Sequence, residues 1–538
     1  MSIPILYGTE SGNSEYCADM LETALNAEDF QSKAINMEDF EPSDIETETL
    51  VFIITSTYGN GDPPDNAIDF LHYLETESLD LSALSFAVCA LGDSSFPKFA
   101  QCGKDFESAL LKQSASLVFN RVDCDCDFEL PFESFKESAL QYMRKNKETS
   151  QESSTERSTR SSVSTSSKSS AYSRDNPFLA RLHSKKLLSK TGSNKETMHY
   201  EIDISTSEIS YEVGDCFGIH PSNSDSDVIQ TLQALKKTGS ELVYWNNQQT
   251  SLFSTLKHCC LQHVGLGFLR YISEANPNPQ LVQILAGPEA QLQDYMQTRH
   301  VLDVLLENIT DNLEEQTLVN TLRKLQPRLY SIASSPTKNP NRVAFTIETV
   351  RYQKNNRKIE GVASCWLADR LQNTEEIPLY VMKNASFHFP KDNTPVIMIG
   401  PGTGIAPFRA YLEEVEAAGI NNSTWLFFGH QHQQYDFLYE EELTRWLQSG
   451  VLNKINFAWS RDQAEKIYVQ NRIMQNGSEI WKWIEKGARI YVCGDAKNMA
   501  PAVAKAFSFL SVAYGRKSDG QRWLQLMIEQ GRYRSDVY

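Results

Sequence analysis

The chain has 538 residues, 41% of them hydrophobic and 22% charged, a balance typical of globular proteins and too long for one core, so three or four domains are expected. Its formal net charge of −18 is concentrated at one end: residues 1–145 hold 8 basic against 27 acidic residues, the remainder 43 against 42. That field disfavours nucleic acid and favours docking onto basic protein patches. No run approaches the eighteen apolar residues of a membrane span, and the ten scattered cysteines lack four-ligand metal spacing, so no metal is expected. Met1-Ser2-Ile3-Pro4 leads straight into a strand-like run, which reads as neither signal peptide nor anchor, and the expected compartment is the cytoplasm.

Residues 3–7 form a short apolar run that Gly8-Thr9-Glu10-Ser11-Gly12-Asn13-Ser14 breaks before a helical pattern through Cys17, Met20, Leu21 and Leu25. This is strand, phosphate loop, helix. Because the loop has hydroxyls and amides but no lysine, it suits the single phosphate of a mononucleotide better than a triphosphate. Two further loops follow strand-like runs: Ser56-Thr57-Tyr58-Gly59 and Leu91-Gly92-Asp93-Ser94-Ser95-Phe96. In a doubly wound parallel sheet such loops lie at the carboxyl ends of neighbouring strands, where Tyr58 and Phe96 could sandwich a planar ring. Residues 146–174 are Ser-rich and nearly devoid of apolar side chains; a coil of that length spans about 30 Å, the reach of a tether between domains.

A second domain, 175–393, opens at Asn176-Pro177-Phe178 with alternating strands near 198–204 and 211–219. Residues from about 222 to 325 turn helical, as in Val228, Ile229, Leu232 and Leu235, and strands resume at Arg328. In Arg328-Leu329-Tyr330-Ser331 an Arg offers a fork to pyrophosphate, a Tyr a flat face and a small hydroxyl access to a reacting atom. Gly361-Val362-Ala363-Ser364 reads as a turn opening a helix whose small residues let amides approach a phosphate. The last domain, 394–538, starts with an apolar strand and Gly400-Pro401-Gly402-Thr403-Gly404, a glycine turn that would place a pyrophosphate at a helix start. Ser460 and Arg461, then Lys466-Ile467-Tyr468-Val469-Gln470, gather two cations, a hydroxyl and a phenol suited to a ribose 2′-phosphate, which points to NADPH rather than NADH. Residues 490–495 form one more strand, ending at Cys493-Gly494-Asp495.

These motifs together resemble the diflavin reductases, a multidomain α/β architecture, over essentially the whole chain except the Ser-rich segment. The three loops of 1–145 match a flavodoxin-like FMN domain and imply Phe99 as a further FMN neighbour. Arg328 to Ser331 with Gly361 to Ser364 match the FAD signature of a β-barrel carrying a helical connecting insertion, implying Thr346, Ile347, Glu348 and Tyr352 as FAD contacts. The Gly-Pro-Gly-Thr-Gly-Ile-Ala-Pro-Phe-Arg run and Asp495 match the NADP-binding Rossmann-like domain, although Ala502 stands where the family commonly has Asp. The resemblance implies that Cys493 lies beside the nicotinamide, that Asp536 groups with Ser331 and Cys493 around the hydride, and that Tyr538 covers the FAD ring. Within the family the runs 328–335, 396–410, 458–463 and the terminal Asp-Val-Tyr are most similar to the flavoprotein alpha component of bacterial NADPH-dependent sulfite reductase. The implied path is NADPH to FAD to FMN to a siroheme and iron–sulfur hemoprotein partner, docking on the acidic FMN domain. A general reductase serving another heme or iron–sulfur acceptor, or a non-catalytic flavodoxin-like scaffold, are the competing expectations.

Overall fold

The computed structural model describes residues 2–9, 12–58, 61–94, 96, 98–126, 128–151, 172–174, 176–246, 248–308, 311, 313–354, 357–371 and 375–538. Most of the expected Ser-rich tether lies outside the described residues. Two compact units emerge, and each is built from two separate stretches of chain: the flavodoxin-like segment with Asn223–Leu325, and Ser166–Ser222 with Gln326–Tyr538.

The first unit has a parallel sheet of β1 (Ile3–Gly8), β2 (Ser32–Asn36), β3 (Leu50–Ser56), β4 (Ser85–Leu91), β5 (Ser116–Leu117) and β6 (Val122–Cys124) in the order 2-1-3-4-5. β4 pairs with β5 at its start and with β6 at its end, so the outermost position is shared by two short strands. The central strands are continuous apolar runs because helices cover both faces, leaving Phe52, Ile53, Phe86 and Val88 buried. The helix Glu129–Gln151 continues past the domain edge expected at 145. The insertion is helical as expected, from Asp225–Ala234 to Glu315–Thr321, with a small hairpin of Leu242–Trp245 against Gln248–Ser251. Val228, Leu256, Phe268, Leu269 and Ile272 fill its own core. In sequence it lies within the expected FAD domain, and in space it forms one compact unit with the flavodoxin-like segment.

In the second unit β7 (Phe178–Leu187), β8 (Thr197–Asp203), β9 (Cys216–Ile219), β10 (Arg328–Ser331), β11 (Arg342–Glu348) and β12 (Glu376–Met382) form an antiparallel sheet in the order 10-9-12-7-8-11. Its end strands approach at one bridge, Ile332 to Phe345, beside the hydrogen bond from the Ala333 amide to the Ala344 carbonyl at 2.7 Å. A five-stranded parallel sheet follows: β13 (Val396–Ile399), β14 (Thr424–His430), β15 (Lys454–Trp459), β16 (Arg489–Gly494) and β17 (Tyr533–Val537), in the order 15-14-13-16-17. The C-terminal residues form the edge strand β17 along β16.

The two sheets are joined by buried polar contacts centred on Arg409, of the helix Ala406–Ala418. Its guanidinium donates to the Ala333 carbonyl and pairs with Glu442 at 2.8 Å. Glu413 of the same helix accepts from the Ser335 amide at 2.9 Å, and Tyr439 joins His199 at 2.9 Å to Thr346 at 2.6 Å. Burial, with Arg409 and Lys186 adding to it, lowers His199 to about 3, so this ring is neutral throughout the physiological range.

Candidate active site

In the first unit the phosphate loop starts from β1 and ends in the helix Asn13–Ala27, whose cap, Gly12, sits at φ +76°, a left-handed conformation that glycine adopts without strain. The Thr9 amide is held by Asn66 Oδ1 at 2.9 Å, and Thr9 Oγ1 accepts from the Ser14 amide at 3.4 Å. Ser14 is fully buried, yet among the described residues its Oγ has no hydrogen-bond partner. A buried hydroxyl left unpaired beside a helix start is the condition that a phosphate oxygen relieves, and FMN fits here. Glu10, Ser11, Gly59 and Ser95 lie outside the described residues.

The two ring loops are braced from behind. The Thr57 amide donates to the Leu91 carbonyl at 2.9 Å, Thr57 Oγ1 accepts from the Cys102 amide at 3.1 Å, and Ser56 Oγ reaches the Gly8 carbonyl at 3.5 Å. Tyr58 and Asp62 exchange backbone hydrogen bonds across a tight turn. Leu91 is buried as the end of β4, and Phe99 packs close to Gly92. Tyr58 and Phe96 are 39% and 47% exposed, large aromatic faces left open at the strand ends. Asp93 and Ser94, expected at the flavin, are held from the insertion instead, by Arg323 Nη1 to Asp93 Oδ1 at 3.1 Å and Nη2 to Ser94 Oγ at 3.0 Å.

In the second unit Ser331, at the end of β10, donates to Asp536 Oδ2 at 2.7 Å, and Cys493, at the end of β16, approaches the same oxygen at 3.9 Å. β17 places Asp536 directly opposite Cys493 in the ladder, so the three expected hydride-site residues converge on one carboxylate oxygen. Desolvation raises the Asp536 carboxyl, with the hydrogen bonds from Ser331 and Cys493 opposing it. Burial, then Asp536, pushes the Cys493 thiol well above its ordinary value, so it is a neutral S–H and not a nucleophilic thiolate. Tyr538 is fixed by its amide to the Gly494 carbonyl at 3.0 Å and by its hydroxyl, 2.9 Å from Thr403 Oγ1, while its ring is 61% exposed.

Arg328 is exposed and, among the described residues, its side chain hydrogen-bonds only the Gln326 and Pro327 carbonyls, leaving most of its fork available to a pyrophosphate. Leu329 and Tyr330 are half-buried, and Tyr352 is exposed. Gly361 caps the helix that begins at Val362, with Ala363 buried. Among the expected FAD contacts, Ser364 Oγ accepts from the Val350 amide at 3.1 Å, Thr346 bonds Tyr439, and Ile347 is buried in the core. Glu348 pairs with Lys195 at 2.5 Å.

At the nucleotide end, Gly402 has φ +60°, and a Cβ on Gly404 would lie 2.1 Å from the Cys493 carbonyl oxygen; only glycine lets this turn pass so close to β16. The clearance is what a pyrophosphate cradle needs. Arg461, Lys466 and Tyr468 are exposed around the end of β15, with Ser460 and Gln470 partly so. Ile467 and Val469 instead anchor this segment in the core. Asp495 caps the helix Met499–Ala513, its Oδ2 accepting from the amides of Asn498 at 2.8 Å and Met499 at 3.0 Å. Desolvation opposes them, but those amides hold its pKa low.

Asp215, fully buried and bonded by His388 Nε2 at 2.7 Å and Lys383 Nζ at 3.0 Å, and the Arg323 cluster were missed in the sequence, because their partners are more than a hundred positions away.

Family models match three stretches of the chain, the second of which runs through the helical insertion. Residues 5–137 match the family described as flavodoxin, 170–366 an FAD binding domain and 398–505 an oxidoreductase NAD-binding domain. The chain is 36% identical to the sulfite reductase [NADPH] flavoprotein alpha-component of Bacillus subtilis (strain 168), covering all of this chain and 89% of the relative. It is 37% identical to the Sodalis glossinidius (strain morsitans) protein of that name, over all of this chain and 90% of the relative. This chain belongs to the sulfite reductase flavoprotein alpha-component family. The diflavin architecture follows: a flavodoxin domain for FMN, then an FAD-binding domain and an NADP-binding domain of an oxidoreductase. A neutral thiol and a raised carboxyl suit the holding of protons better than covalent catalysis. Among the described residues, no helix is long and apolar enough to cross a membrane.

Proposed function

We propose that this chain is the flavoprotein component of an NADPH-dependent sulfite reductase, passing electrons from NADPH through FAD and FMN to a siroheme and iron–sulfur hemoprotein that reduces sulfite to sulfide. The observation that carries the reading is the convergence of Ser331, at the end of β10, with Cys493 and Asp536 on the neighbouring strands β16 and β17, two residues from the exposed Tyr538. Bound flavins supply the conversion between a hydride pair and single electrons.

The chain's own groups orient and hold protons. Asp536 fixes the Ser331 hydroxyl and keeps its own pKa raised through burial, while Cys493 retains its proton. Tyr538, anchored through Gly494 and Thr403, stands where a nicotinamide must displace it, a gate and not a reactant. Arg461, Lys466 and Tyr468 select the 2′-phosphate. The excess of acid over base in residues 1–145 makes the flavodoxin-like surface the docking face for a basic patch on the acceptor.

The test is NADPH-driven reduction of an artificial acceptor, followed by sulfide production on adding the siroheme protein and sulfite. Sulfide formation that falls as ionic strength rises supports the reading. Acceptor reduction without any transfer to the hemoprotein would assign the chain to another heme or iron–sulfur acceptor, and unbleached flavins would remove it from this chemistry.

A further inference from the structure

Behind the third ring loop, Asp93, Asp125 and Cys126 bring ligand atoms within 4.8 Å of one another, a grouping able to hold a cation. The cation there is a side chain. Arg323, on the segment that leads out of the helical insertion, is 8% exposed and spreads its fork over the group: Nη1 lies 3.1 Å from Asp93 Oδ1 and 3.8 Å from Cys126 Sγ, Nη2 lies 3.3 Å from Asp125 Oδ2 and 3.0 Å from Ser94 Oγ. Asp125 ties the loop a second time, with Oδ1 accepting from the Ser94 amide at 2.9 Å and from the Cys126 amide at 2.8 Å. Gln293, 7% exposed on another helix of the insertion, donates to the Ser94 carbonyl at 3.1 Å. The base of the fork is fixed too. The Arg323 carbonyl accepts from the Cys260 amide at 2.7 Å, and its chain lies over Gly265, where a Cβ would come within 3.3 Å of Nε.

We propose that Arg323 is a positioning residue for the FMN site: an ionic clamp, supplied by the helical insertion, that holds the Leu91–Phe96 loop in its ring-binding shape and docks the flavodoxin-like segment on the insertion. The inference rests on the reading that this loop lines FMN. A buried guanidinium among two carboxylates and a hydroxyl is a charge-assisted set whose loss removes the cation that faces both carboxylates. The same contact therefore sets loop shape and docking together.

The experiment uses the full-length chain, flavin-free and flavin-loaded, as wild type, R323A, R323K, D125N and the R323A/D125N double variant. Hydrogen exchange of the loop amides in the flavin-free protein, and FMN affinity by quenching of flavin fluorescence, are the two readouts. R323A is expected to speed loop exchange and weaken FMN about tenfold or more, R323K to fall between, since it keeps charge but loses the fork. Because D125N removes one of the carboxylates that Arg323 faces, the double variant is expected to be milder than R323A. Wild-type exchange and FMN affinity in R323A, or effects that simply add in the double variant, would overturn the clamp; should R323A fail to fold, R323K and D125N must both show faster loop exchange for it to stand. Failure of wild-type protein to bind FMN at all would instead sink the reading beneath it, without touching the exchange result.

Discussion

Asp536 receives the Ser331 hydroxyl at 2.7 Å while desolvation keeps its carboxyl above the usual range. Asp536→Asn keeps the shape and one acceptor oxygen but removes the titrating group; reduction of FAD by NADPH, followed by stopped flow, is expected to slow about a hundredfold with FAD content unchanged. Glu15 supplies a pH signature in the other unit. Burial, then the neighbouring Asp19, raises it to about 7, against a hydrogen bond from Tyr7. The folded state thus holds a proton that the unfolded state has released, and this group's contribution is fully present below pH 4.5 and lost as pH rises through 7. Glu15→Gln is expected to raise the stability of the flavodoxin-like segment at pH 8 by about 1–3 kcal/mol, the difference closing below pH 5, as read by denaturant titration across pH. At this scale the sequence was informative where a motif is local: the phosphate loop and each ring loop is a contiguous run of a few residues. Arg323 and Asp125 are far apart in the chain, and no spacing pattern announces an ion pair of that kind.

The glycine turn and the strand after it work as one element. Gly404→Ala drives a methyl group into the Cys493 carbonyl of β16, where backbone cannot yield as a side chain would. The expected cost is about 3 kcal/mol or more, measurable as a lower denaturation midpoint, together with loss of the pairing that carries Cys493. At the end of β15, Arg461→Ala combined with Lys466→Ala is expected to weaken NADPH about tenfold to a hundredfold and leave NADH nearly unchanged, by equilibrium titration. The glycines, cations and phenol of these elements were legible because each motif is contiguous. The edge strand β17 was not: Tyr-Arg-Ser-Asp-Val carries little apolar alternation, and its pairing with β16 comes from the tertiary sheet. Likewise Thr346 and Ser364 look like ligand residues in a motif, yet each hydroxyl is consumed by Tyr439 or by the Val350 amide.

At the scale of the whole chain, hydropathy periods and loop chemistry marked the strand-loop-helix units, and the resemblance to the diflavin reductases named the flavodoxin-like, barrel-like and Rossmann-like parts; the helices of the insertion bury their own core whichever neighbour they join. Its two ends have a consequence of their own. β9 and β10 pair antiparallel, Ile219 opposite Arg328, although roughly a hundred residues separate them; closing so long an unstructured loop would cost about 4 kcal/mol in chain entropy. The insertion removes most of that cost by splinting itself. Asn223, where it begins, bonds through its side chain to the Leu256 carbonyl at 2.8 Å and the Cys259 carbonyl at 2.6 Å, and Leu325, where it ends, donates to the His258 carbonyl at 2.8 Å. Entry and exit are thus stapled to a single turn, so once the helices have condensed, the distant halves of the antiparallel sheet meet as if a short hairpin joined them.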